Sequence, residues 1–284
     1  MKLKKIVTIF ITIVSINALF SQVNLKKDKE FEKKNLELPK VEVVPLIDTN
    51  TNRHYELYIK LPEGYSEDNK TKYPVLYFTD ALWHIELLSG ASEYLMKDLI
   101  LVGISWQKDE NPAISRYRDY TLLKDMNPKY QSGDAENHLR FIQNEVFEYV
   151  ENHFKAQSEN RSYFGYSLGA TFGTYVLFSQ PETFTNYILG SPETLLDETY
   201  IYKHKSISTQ NLKSANANIF ISYGELETEA LIHQAEGLAS IIKELDNQGI
   251  DLNIVEIESA DHGKAFPMST VKSLYWLEAL INKK

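Results

Sequence analysis

The stretch Gly165-Tyr166-Ser167-Leu168-Gly169 constrains the fold more than any other part of the chain. Before it, Arg161-Ser162-Tyr163-Phe164 reads as a short buried strand. After it, residues 170–178 have helical spacing and mostly small or apolar side chains. A serine between two glycines, on a tight turn from strand to helix, is the pattern of an exposed nucleophile. Such a turn forces Ser167 into a strained backbone conformation. It also brings the chain so close to itself that side chains at 165 and 169 would clash. The helix opening at Leu168 aims free N–H groups and its positive end at the point where an oxyanion would form. The five residues alone could be an ordinary glycine-rich turn, so the strand before and the helix after carry the reading.

The remaining chain supplies a sheet for that turn. Residues 41–44 and 55–59 read as antiparallel strands joined by the turn-forming run 48–52. Residues 73–78 and 99–104 are continuous apolar runs, as expected of strands buried on both faces of a parallel sheet. Residues 84–97 form the crossover helix between them. Further strands are expected at 184–189, 218–223 and 252–257, and helices over 139–150, 230–245 and 271–281. This alternation calls for an α/β fold with a mostly parallel sheet, helices on both faces and an antiparallel N-terminal strand pair. Residues 107–133 read as a long irregular insertion, either functional or folded down with Arg118 and Asp119 paired to neighbours.

No Pro/Gly/Ser-rich linker divides the 284 residues, and 43% hydrophobic content is enough for a core, so residues 41–284 are read as one domain. Residues 1–22 stand apart. Lys2, Lys4 and Lys5 precede an apolar run and a small-residue exit, the pattern of a signal peptide, with an uncleaved anchor as the alternative. That run is too short and too interrupted for a comfortable membrane span, so no stable insertion is expected once it is removed. Residues 23–40 read as a charged, flexible leader. The expected destination is the periplasm or the exterior. The absence of cysteine excludes disulfides, a thiol nucleophile and cysteine metal sites. A net charge of −9 without a basic stripe argues against nucleic acid as a partner.

A serine hydroxyl needs a base, usually a histidine held by a carboxylate. His262 is best placed, in Ser259-Ala260-Asp261-His262-Gly263, a turn between the last strand and the closing helix. His54 falls in a strand, and His138, His153 and His233 fall in helices and read as surface residues; His204 lies in unpatterned sequence. The acid should follow the preceding strand, in the order Ser, acid, His. Glu227, three past Gly224, is preferred over Glu225; Glu229 reads as a helix-start residue, and Glu193 or Asp197 are the places to look otherwise. The oxyanion donors expected are the N–H of Leu168 and that of Ala81 or Leu82. Trp83, His84, Trp106 and Tyr166, with Tyr117, Tyr120 and Tyr130, are candidates to surround the cleft, although so many aromatics also serve packing.

Taken together, these segments resemble the putative esterase family of α/β-hydrolases, which includes esterase D, enterochelin and trilactone esterases, and feruloyl and acetylxylan esterases. The resemblance spans roughly residues 40–282. It rests on residues 73–80, Arg118-Asp119-Tyr120-Thr121, Ser132-Gly133-Asp134-Ala135, the turn at Ser167, Ser191-Pro192, Gly224-Glu225-Leu226-Glu227 and Asp261-His262-Gly263. Ala81 and Ala170 stand where the family often has glycine, small changes that narrow the pocket. The resemblance implies a serine ester hydrolase acting on a small-molecule or glycan-linked ester without metal or organic cofactor. It leaves open an acyltransferase with a sugar or lipid alcohol acceptor, or a non-enzymatic binding protein on the same fold. Oligomeric state is not legible in the sequence.

Overall fold

The computed structural model describes residues 40–68, 70–122, 124, 131–193 and 210–282. The signal-peptide and leader readings, apart from Lys40, lie outside these residues, as do Tyr130, Asp197 and His204.

The strands β1 (Val41–Asp48), β2 (Arg53–Lys60), β3 (Tyr73–Thr79), β4 (Ile100–Ile104), β5 (Ala156–Tyr166), β6 (Asn186–Gly190), β7 (Ala217–Gly224) and β8 (Ile250–Ile257) form one sheet. Their order is β1-β2-β4-β3-β5-β6-β7-β8. β1 pairs antiparallel with β2, and β2 antiparallel with β4; every later pairing is parallel. The continuous apolar runs explain this. β3 and β4 are buried along their whole length, with both faces covered.

Alternation along β3 divides the core. Val75 and Tyr77 join one cluster, with Tyr163, Leu189 and Ile221 from neighbouring strands. Leu76 and Phe78 point the other way and join Phe164, Ile188 and Phe220. The second face is closed by α1 (Ala81–Leu95) and α7 (His262–Ile281), through Ile85, Leu88, Ala265, Leu274 and Leu277. The first is closed largely by α3 (Ala135–Phe141), α4 (Phe147–His153), α5 (Leu168–Ser179) and α6 (Glu229–Lys243). A π-helical turn, Ile142–Val146, joins α3 to α4.

Three local expectations are corrected. The insertion is not irregular throughout: Pro112–Tyr120 forms α2, started by Pro112 in the first turn and by the Asn111 side chain accepting from Ala113 N–H at 2.9 Å. Its Arg118 and Asp119 are buried and paired, with Arg118 Nε donating to Asp119 Oδ1 at 2.7 Å. The closing helix starts at His262 rather than 271. Asp261 caps it by accepting from Lys264 N–H at 2.9 Å, and Pro267 is accommodated inside it. His138 is not a surface residue. It is buried among Tyr55, Tyr120, Phe141 and Phe172, and that burial lowers its pKa, so the ring is neutral.

At the turn between β5 and α5 the packing leaves no room for side chains. A Cβ on Gly165 would lie 2.4 Å from the carbonyl oxygen of Gly169, and one on Gly169 would lie 2.4 Å from Thr79 Oγ1. The obstacle at 165 is backbone, which cannot swing aside. Gly165→Ala is therefore expected to cost about 1–3 kcal/mol. Urea unfolding checks this, and an unchanged midpoint would contradict the packing described here.

Candidate active site

Ser167 sits between β5 and α5 at φ 55°, ψ −122°, a conformation that few non-glycine residues adopt. Its N–H donates to Gly190 O at 2.8 Å, and its carbonyl accepts from Thr171 N–H at 3.0 Å. The turn is thus held from β6 and from the first turn of α5. This places Leu168 N–H at a helix start, where no preceding carbonyl within the helix can take it.

The carboxylate side of the site is built by tight backbone pairing. Beyond β7, Glu225 N–H donates to Ile257 O at 3.0 Å and Leu226 N–H to Ala260 O at 2.9 Å, tying this loop to the one that ends at His262. Glu227 is buried, and its Oε1 accepts from Ser191 Oγ at 2.6 Å and from Gly224 N–H at 3.2 Å. The same oxygen lies 3.5 Å from His262 Nδ1. That contact is at the outer edge of hydrogen-bond reach and poorly aligned, since His262 Nδ1 and Glu227 Oε2 are both buried without a well-formed hydrogen bond.

The electrostatics agree with the pairing. Hydrogen bonding to Glu227 leads the causes that hold His262 above its ordinary value, against the opposing effect of burial; the charges of Glu227, Glu193 and Asp261 add to it. For Glu227, burial pushes the carboxyl up, but the interactions with His262, Ser191 and Gly224 outweigh it and leave the group below the usual range. Glu225 is directed elsewhere, its Oε2 accepting from Ser259 N–H at 2.6 Å.

Tyr166, one residue before the serine, braces the histidine. Its hydroxyl donates to His262 O at 2.5 Å and lies 3.0 Å from Ser191 Oγ. Ser191 itself is buried at φ 45°. Neither Tyr166 nor His84 presents an open face to a cleft. Both are buried, and His84 stacks on Phe266 with its Nδ1 3.0 Å from Thr79 O. Tyr120 is likewise core.

Opposite lies the start of α1. Asp80, fully buried at φ 59°, ψ 41°, directly precedes Ala81 and Leu82. Arg116 grips it with two hydrogen bonds, Nε to Oδ1 at 2.6 Å and Nη2 to Oδ2 at 2.9 Å, and Tyr120 OH adds a third at 3.2 Å. The guanidinium also lies over the Trp83 ring, 4.7 Å from its centroid, and Trp83 packs against Trp106 at 5.0 Å. Trp83 is 53% exposed and Leu82 43%, whereas Ala81 is buried. Among the described residues, no group of three or more His, Asp and Glu gathers where a metal ion would fit.

Three groups escaped sequence reasoning in these roles. Glu193 accepts a 2.5 Å hydrogen bond from Ser167 Oγ, while its carbonyl takes the Thr171 hydroxyl at 3.0 Å. It touches the serine and is not the partner of His262. Ser191 and the Arg116–Asp80 pair were the others. Their types were visible, but each acts across loops distant in sequence.

The family model described as "Putative esterase" matches residues 49–278. The chain belongs to this esterase family. It is a carboxylic ester hydrolase with the α/β-hydrolase fold. The esterase is 26% identical over 259 residues to the ferri-bacillibactin esterase BesA of Bacillus subtilis (strain 168), covering 84% of this chain and 89% of the relative. Among solved structures, the BES protein from Bacillus cereus superposes with a TM-score of 0.79 at 21% identity, covering 87% and 97% of the two chains. The siderophore hydrolase EstB from Aspergillus nidulans gives 0.72 at 18% identity, covering 86% and 97%.

For the esterase, the Glu227–His262 geometry makes a signed prediction. A raised histidine pKa puts the acidic limb of the kcat/KM profile above the ordinary histidine value, because only the neutral ring accepts a proton. Glu227→Gln removes the charge that favours the imidazolium, so the limb should move to lower pH while kcat falls at least about a hundredfold. Glu225→Gln should cost less than about tenfold. Reversed magnitudes, or a limb that stays in place in Glu227→Gln, would show that Glu227 does not act on the histidine.

Proposed function

We propose that the esterase uses Ser167 as nucleophile, His262 as base and then acid, and Glu227 as the group that orients and charges the imidazole. The observation that carries this reading is that Glu227 and His262 meet beyond β7 and β8, while Tyr166, the neighbour of Ser167, hydrogen-bonds the His262 carbonyl at 2.5 Å. The strained serine follows β5, the buried carboxylate follows β7, and the histidine opens α7 after β8.

In the first half-reaction Ser167 Oγ gives its proton to His262 Nε2 and bonds to the ester carbonyl carbon. The carbonyl oxygen takes up the negative charge. Leu168 N–H and an N–H of Ala81 or Leu82 are the donors proposed to hold it. The Arg116 and Tyr120 hydrogen bonds hold the buried Asp80 directly before these amides, which favours their alignment before substrate arrives. The intermediate collapses, breaking the carbon–alcohol oxygen bond while His262 protonates the departing alcohol. Water then attacks the acyl-enzyme with His262 as base, releasing the acid and restoring Ser167. To begin, the serine hydroxyl must turn from Glu193 towards the imidazole.

Siderophore esters are the proposed substrate class. Support comes from the names of the relatives, a ferri-bacillibactin esterase and a siderophore hydrolase, and from the exposed Trp83 beside the start of α1, an aromatic face suited to aryl groups. We further propose that the chain is exported. The basic start and apolar run of residues 1–22 support this.

The test is a panel of nitrophenyl, feruloyl, acetyl-sugar and catecholate trilactone esters, with the trilactone expected to turn over fastest. On the best of them, Ser167→Ala should lose on the order of 10⁴-fold or more in kcat/KM with its circular dichroism unchanged. A folded Ser167→Ala enzyme that keeps over a tenth of the activity would remove the serine from the mechanism.

A further inference from the structure

The Ser167 hydroxyl is held by a carboxylate to which the catalytic sequence above gives no chemical role. Glu193 Oε1 lies 2.5 Å from Ser167 Oγ, and its backbone is anchored to α5 by the Thr171 hydroxyl at 3.0 Å. The anchor fixes where Glu193 stands, and its side chain reaches the one atom that must bond to substrate. When Oγ attacks, the reacting carbon comes within a bond length of Oγ. A carboxylate that was in hydrogen-bond contact with Oγ is then about 4–5 Å from groups flanking the scissile carbonyl.

Among the described residues, the charges named above do not neutralise it. Arg116 feels the charge of Glu193, but its Nε and Nη2 both donate to Asp80. His262 feels Glu193 but is coupled first to Glu227. Asp80, Glu193 and Glu227 thus stand against Arg116 and a histidine that must be neutral to act as base. Among these described residues the surplus is negative, and Glu193 is its member in contact with Ser167 Oγ.

We infer that Glu193 is a specificity-determining residue that selects esters by charge, favouring a cationic group beside the scissile carbonyl, accepting a neutral one and rejecting an anionic one. This rests on the serine-esterase reading and deepens it. Within the proposed siderophore class it selects esters flanked by ammonium or uncharged groups over those with a carboxylate next to the cleaved bond. A unit charge about 5 Å from a carboxylate in a partly solvated site alters binding by enough to change rates at least about tenfold. Because the pair faces solvent, the preference weakens as salt is added.

The experiment compares isosteres. On the acyl side these are nitrophenyl esters of 4-(trimethylammonio)butanoate, 5,5-dimethylhexanoate and glutarate; on the alcohol side, butyrylcholine and 3,3-dimethylbutyl butyrate. The wild-type enzyme should show kcat/KM in the order cation, neutral, anion. Glu193→Gln should compress that order at least about tenfold, and Glu193→Lys should invert it. A role in folding alone would lower all the rates together and leave their ratios intact. If Glu193→Gln is too slow to assay, the same ratios are read as dissociation constants by calorimetry in Ser167→Ala and in Ser167→Ala/Glu193→Gln. Loss of the cation preference in the double variant supports the inference. Ratios unchanged by Glu193→Gln on both sides overturn it, whereas an active Ser167→Ala enzyme would strike at the esterase mechanism instead.

Discussion

The close approach of β5 and α5 at Ser167 is the constraint from which the other features of the site follow. Two bare glycine positions let the backbone double back within contact distance, and the serine between them is driven to φ 55°. Strain of this kind costs on the order of 1–3 kcal/mol and persists only where the surroundings over-determine it. Here they do so from several directions. Gly190 O holds the serine N–H, the parallel pairing of β5 with β6 fixes that carbonyl, and Thr79 Oγ1 fills the space beside Gly169. The reward is a hydroxyl raised above the sheet, over the first N–H groups of a helix, at the carboxyl ends of the parallel strands.

Around that turn the site is a balance of buried charge. Glu227 and Asp80 are removed from water, and each is matched by donors: Ser191 and Gly224 for one, with the His262 ring 3.5 Å away, and Arg116 and Tyr120 for the other. Burying a carboxylate without such partners would be prohibitively unfavourable. The two pairs do different work. The first raises the proton affinity of His262, and the second anchors Asp80 directly before Ala81 and Leu82. Glu193 differs from both because its partner is the Ser167 hydroxyl.

Much of this was legible in the sequence, for a physical reason. Strand-to-helix turns and buried strands are local patterns, and local patterns survive in one dimension. The β3 and β4 runs announced a sheet covered on both faces, and Gly224 marked where the chain leaves β7, which put Glu227 in view. Long-range pairing left no such trace. Arg116 meets Asp80, and Ser191 meets Glu227, 36 residues away in each case, while Ser167 and Glu193 are 26 apart. His138 was misread as a surface residue because a helical register alone does not say which stripe faces a core of tyrosines and phenylalanines. Pro267 obscured the true start of α7, which its Asp261 cap defines.

The central claim is that a covalent bond forms at Ser167, and it is tested most directly by catching that bond. The enzyme is mixed with an ester of slow-leaving acyl group, quenched in acid within milliseconds, digested, and read by peptide mass spectrometry. The account predicts an added acyl mass on the peptide containing Gly165-Tyr166-Ser167-Leu168-Gly169, localised to Ser167, and its absence after Glu227→Gln slows acylation. Turnover of the ester with the acyl group on another residue, or with water attacking directly and no covalent species at any quench time, would contradict it.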